Sequence, residues 1–237
     1  MIQAENPTRK ASAQHQEDPS VAGNARLTGA TGAVLLLLFC VEVATVVIGV
    51  KGMLTLHVMI GLLLVPPLLV KISSVSWRFL RYYRHDEAYR RRGAPPTVLR
   101  ILGPLLLLAT IVLFTSGITL LLAPSAFGGP RGTMYTIHAG SFLIWIVLVL
   151  AHVIGHARDL RRLAAKDWLR RSRAAVPGAL ARQLAVLASL AAGLALALSL
   201  VGHVGTFQNT APHPHGIPHR AGAAVLVLVP GETLTWH

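Results

Sequence analysis

Charge is what this sequence has least of. Only 13% of its 237 residues are charged, about half of the roughly 25% usual in a soluble domain. Acidic residues are the scarcer sign, 9 Asp+Glu against 22 Lys+Arg. The shortfall is concentrated in long charge-free windows, which excludes an ordinary soluble globular enzyme and a polar disordered chain. Cysteine is nearly absent as well. Cys40 is the only one, so an intrachain disulfide, a cysteine-rich zinc site and a CxxCH haem attachment are excluded. There is no HExxH, no GxxxxGK phosphate loop and no glycine-rich dinucleotide turn after a strand. No Ser–His–Asp grouping follows from spacing. The basic excess would suggest nucleic acid in a soluble protein, but neither basic stretch interleaves stacking aromatics with base-reading residues. Nucleic acid is not expected as a partner.

What is present is apolar, 53% of the chain, and it comes in runs. A helix crossing a hydrocarbon core of about 30 Å needs ~20 largely apolar residues. Five runs meet this, at about 27–50, 54–77, 99–123, 134–156 and 180–202, the last being Ala/Leu-rich and the most uniformly apolar. The chain is expected to be all-α, a polytopic helical bundle in a lipid bilayer. Residues 1–26 are polar and of mixed charge and read as a disordered arm. No early apolar run with a small-residue cleavage site marks a signal peptide, so the first span is expected to be retained.

The loops give the orientation. Residues 78–100 carry seven arginines, and residues 158–182 carry seven arginines and one lysine. The turn at Lys51 and the stretch around Arg131 are nearly free of charge. Both basic loops are therefore expected in the cytoplasm together with the N-terminus, with the C-terminal tail outside. Topology and contact with anionic headgroups account for the arginines.

Chemistry has to come from polar side chains within the spans, which are costly there and tend to be functional. They are Glu42, His57, Lys71, His138, His152 and His156. The second and fourth spans both run inward, with His57 about three residues and His138 about four residues into them. At a rise of about 1.5 Å per residue both imidazoles sit roughly one turn below the outer surface. Two histidines at equal depth on two helices can ligate one haem iron from its two faces, and imidazole suits iron. Gly61, on the face of His57, and Gly140, near His138, would leave room for a flat macrocycle; plain close packing of helices is the other reading.

His152 lies fourteen residues after His138, about 21 Å along a helix and only ~40° round it. His156 returns to nearly the same angle as His138. The fourth span thus carries a histidine face from one surface to the other. The matching position on the second span is Lys71, expected to snorkel to the inner headgroups. A six-coordinate second haem is therefore not expected, and His152 is the lesser alternative as an iron ligand. Glu42 is read as a proton relay, as a partner for a haem propionate, or as a carboxyl bonded within the bundle. The tail holds His203, His213, His215, His219 and His237, five of eleven histidines. Pro and Gly punctuate it, so a helix is not expected there. Loose metal binding and a disordered tail both suit that composition.

The stretch LHVMIGLLLVPPLLVKISSVSWRFLRYYR, followed by TIHAGSFLIWIVLVLAHVIGH, resembles the four-helix membrane cytochromes b of bacteria. That superfamily includes hydrogenase b-type cytochromes and formate dehydrogenase gamma subunits. The resemblance covers about residues 27–158, leaving the fifth span and the tail outside it. It implies a plasma-membrane bundle that holds haem b and passes electrons between a quinone pool and a partner protein. Members with two haems have more opposed histidine pairs than this sequence offers, so one haem is expected. The competing reading is a haem-free scaffold or small transporter that uses Glu42 and the histidines as proton or metal relays. Transporters tend to show broken helices at the midplane, and here Pro66-Pro67 is the one such break.

Overall fold

The computed structural model describes residues 18–91, 97–125, 132–164 and 177–210. These residues form seven helices and no strand: α1 Pro19–Gly49, α2 Leu54–Tyr83, α3 Glu87–Arg91, α4 Thr97–Leu122, α5 Thr133–Ala164, α6 Ala179–Leu200 and α7 His203–Thr210. Five of them, α1, α2, α4, α5 and α6, are long and apolar enough to cross a membrane. The chain is a multi-pass membrane protein of the all-α class expected. Large apolar side chains such as Val47, Ile48, Leu69, Ile154 and Leu187 are exposed on the outside of the bundle, where acyl chains rather than water suit them.

The helices form an arc. α4 packs on α5, α5 on α1, α1 on α2 and α2 on α6, while short α7 touches α4 and α2 and closes one end. α2 and α5 make little direct contact, so α1 stands between them on one side. The space between α2 and α5 is where the site lies.

Three boundaries differ from the sequence reading. α1 starts at Pro19, so the last eight residues of the segment read as a disordered arm are helical. Asp18 caps it, its Oδ1 accepting from the Ser20 N–H at 2.8 Å and the Ser20 hydroxyl at 2.6 Å. Proline at the first position suits a helix start, and Val21, Ala22 and Arg26 are buried there. α5 runs two turns beyond His156, through Ala164. Beyond Gly202 a helix does form: Val204 packs with Leu62, Leu121 and Ala197 in one apolar cluster, and this anchors α7. Residues 211–237, with four of the tail histidines, lie outside the described residues.

In lipid the hydrophobic effect does little between helices, so close approach and interhelical hydrogen bonds hold them. Gly193 of α6 shows the first: a Cβ there would fall on the backbone carbonyl of Leu63. That carbonyl is one turn before Pro67, which has no N–H to give it. α6 therefore rests on the very strip of α2 backbone that the proline pair leaves bare. For the second, Asn24 Nδ2 donates to the Ser74 carbonyl at 3.0 Å, and the Thr28 and Ser74 hydroxyls meet at 2.9 Å. Between α4 and α5, the Trp145 indole N–H donates to Thr110 Oγ1 at 3.0 Å. Each such bond is worth about 0.6 kcal/mol, up to ~1.7.

Candidate functional site

The structure brings His57 of α2 and His138 of α5 to one level. Their ring centroids are 6.3 Å apart and the ring planes stand 84° to each other. Each imidazole is gripped by a neighbouring helix through its Nδ1. For His57 the partner helix is α1: Thr45 Oγ1 lies 3.0 Å and Glu42 Oε1 3.1 Å from Nδ1. For His138 it is α4: the Leu113 carbonyl lies 3.0 Å and Ser116 Oγ 3.1 Å from Nδ1.

These partners bear on the tautomers. A backbone carbonyl only accepts, so His138 must carry its proton on Nδ1. Ser116 gives its own proton to the Leu113 carbonyl at 3.0 Å and can only accept from the ring. On the other side the Thr45 hydroxyl lies between the Glu42 carbonyl, at 2.6 Å, and His57 Nδ1, at 3.0 Å, and its one proton can serve either. The Leu113 carbonyl thus holds His138 with Nδ1 protonated and the lone pair on Nε2. Neither Nε2 has a hydrogen bond to the protein among the described residues. A metal-ligating histidine has this form, with one nitrogen oriented by an acceptor and the other free to donate its lone pair.

Two glycines make the arrangement fit. Gly117 of α4 lies against the His138 ring: a Cβ there would stand 2.9 Å from Cε1 and 3.3 Å from Nδ1. Gly61 of α2 faces the Glu42 carboxyl, with Oε1 at 3.4 Å from where its Cβ would be. Gly61 therefore makes room for a carboxyl whose Oε1 lies 3.1 Å from His57 Nδ1. Gly140 has nothing within 4 Å of its missing Cβ.

His152 and His156 meet on their own helix, with ring centroids 4.7 Å apart and planes tilted by 55°; this contact lies within α5 and does not cross to α2. His152 Nδ1 is buried with no hydrogen-bond partner among the described residues. Lys71 is not reaching for headgroups as expected. It is half-buried, and its Nζ donates to the Thr28 carbonyl of α1 at 2.7 Å, because Asn24, Thr28 and Ser74 make a polar seam there that lipid does not offer.

Among the described residues no three His, Cys, Asp or Glu side chains gather to hold a metal ion. A zinc or non-haem iron centre needs three or four protein ligands. Two imidazoles alone suit a metal that brings its own equatorial nitrogens. His57 and His138, 6.3 Å apart between ring centres, are the residues that could hold such a group.

Thr45, Ser116, Gly117 and the Leu113 carbonyl were not visible as site residues in the sequence. The hydroxyls had a signal, since Ser and Thr in apolar spans often bond across helices; their partners required the fold. Comparison with protein-family models, curated proteins and solved structures returns no match.

Proposed function

We propose that this chain is a membrane electron-transfer protein that holds one haem b between His57 and His138. In this reading it passes electrons between a quinone pool and a redox partner at the membrane surface. The observation that carries the proposal is the pair of imidazoles 6.3 Å apart, with the Leu113 carbonyl holding His138 in the tautomer that leaves Nε2 its lone pair. Bound there, a haem supplies a one-electron couple whose potential is set by its axial ligands and surroundings. The chain's own residues do the rest. α1 and α4 orient the two rings, Gly117 lets His138 approach, and the apolar faces of α2 and α5 exclude water. The arginines of the loops at 78–100 and 158–182 support an orientation with that side in the cytoplasm and the His57 end toward the outer face of a plasma membrane.

The test is an absorption spectrum of purified protein, oxidised and then dithionite-reduced, with haem content measured against protein. One low-spin haem b per chain is expected. Protein made with ample haem that binds none would favour the haem-free relay, in which the Glu42–His57 contact moves protons.

A further inference from the structure

We propose that Lys71 of α2 and His152 of α5 form a binding site for a phosphate group, at the end of the bundle that carries the basic loops. Lys71 Nζ and His152 Nδ1 are the donors to its oxygens. The site is separate from the His57–His138 pair and does not depend on the haem reading. Position is the first support. Lys71 follows His57 by fourteen residues, and His152 follows His138 by fourteen. The two are therefore level again, about 21 Å further along their helices. They are close enough for the charge of one to act on the other. Arg78 and Arg158, the first arginines of the two loops, come seven and six residues later, roughly 10 Å on. The way in lies between α2 and α5, which pack little on each other.

Unspent hydrogen-bonding capacity is the second support. An ammonium has three N–H donors. Lys71 gives one to the Thr28 carbonyl at 2.7 Å, and the others have no partner among the described residues. His152 Nδ1 is buried and bonds to nothing there. Charge is the third. Asp18 caps α1, Glu42 lies at His57, and Asp86 and Glu87 pair with Arg81 and Arg91. No carboxylate among the described residues pairs with Lys71. A charge within a span tends to be paired, and here an anion from outside the chain would balance it. A neutral carbonyl would satisfy the donors but leave the charge unbalanced. Phosphate does both through charge-assisted bonds, and basic pockets between spans near the surface take phosphate headgroups. An anionic phospholipid and a free phosphate ion share this chemistry and differ in the acyl chains.

The experiment uses the purified full chain in mild detergent, with phosphatidylglycerol, diacylglycerol and inorganic phosphate as probes. Binding is read as the rise in melting temperature with added probe. Phosphatidylglycerol should bind about tenfold more tightly than diacylglycerol, as one charge-assisted hydrogen bond implies. Lys71→Met should remove that preference, Lys71→Arg should keep most of it, and His152→Ala should weaken it. Arg90→Gln, in α3 and away from the site, should leave it unchanged. A response to inorganic phosphate with the same dependence on the variants identifies a free ion as occupant; no response to it, with the lipid preference present, identifies lipid. A second readout needs no variant: the imidazole nitrogen resonances of His152 should move on adding the phosphate-bearing probe, and those of exposed His203 should not. Equal binding by Lys71→Met and the unaltered chain, or unmoved His152 resonances, would overturn the inference. So would a loss in Arg90→Gln as large as in Lys71→Met, which would mark unspecific attraction to the loops. Haem content is read separately and bears on neither outcome.

Discussion

Gly117 and His138 are fitted to each other across α4 and α5: a Cβ on the glycine would stand 2.9 Å from the imidazole Cε1. That distance is closer than carbon atoms settle, and the ring is held from behind by the Leu113 carbonyl. One methyl group therefore pushes the ring off its acceptor.

Gly117→Ala should accordingly loosen the His138 ligand while leaving the bundle assembled. The expected outcome is a mixed-spin or weakly held haem, at a stability cost of about 1–3 kcal/mol from overpacking. Titrating the purified variant with haem and recording its spectrum checks this. A haem as tightly bound and as fully low-spin as in the unaltered chain would mean that His138 is not the ligand.

Gly193 tests the fifth membrane helix independently. A Cβ there would fall on the Leu63 carbonyl, so any side chain must part α6 from α2. Gly193→Leu should lower the melting temperature in detergent by the several degrees that loss of close helix packing brings. Haem content should survive, because α1 and α4, not α6, hold the two imidazoles. Loss of haem with an unchanged melting temperature would contradict this division of labour.

Much of this was legible in the sequence, and unevenly so. The five apolar helices follow from run length alone, since a span is a property of composition. The level placement of His57 and His138 follows from counting residues from two turns on the same side. What counting does not give is which neighbouring helix faces each ring. Glu42 and Thr45 lie fifteen and twelve residues before His57 and meet it only because α1 and α2 fold back on each other through the turn at Lys51. Ser116 and Gly117 stand in the same relation to His138 across α4 and α5. The helix at 203–210 is not legible in the sequence because its hold is tertiary, through Val204, while its composition reads as loop. Lys71 was misplaced for the opposite reason: snorkelling describes a lysine with lipid around it, and this one has the Thr28 carbonyl in reach.

Orientation is tested with single cysteines. Cys40 is exposed and is first replaced by Ala. Lys51→Cys in the α1–α2 turn should react with a membrane-impermeant maleimide added to intact cells, and Arg90→Cys in α3 should react only after lysis. The reverse pattern would put the basic loops outside and overturn the assigned orientation.

His152 and His156 meet each other on one helix, their rings tilted by 55°. Their alanine variants should therefore keep haem at the ratio of the unaltered chain, with the same reduced spectrum. Loss of half or more of the haem in His152→Ala would point to a second haem that the geometry does not favour.

The central claim is that His57 and His138 together hold one haem, and a pyridine haemochrome titration against protein concentration tests it most directly. The unaltered chain should give one haem per chain. His57→Ala and His138→Ala should each abolish it or convert it to a high-spin form, since either change removes one of two axial nitrogens. Two haems per chain, or a low-spin haem retained in His138→Ala, would contradict the account.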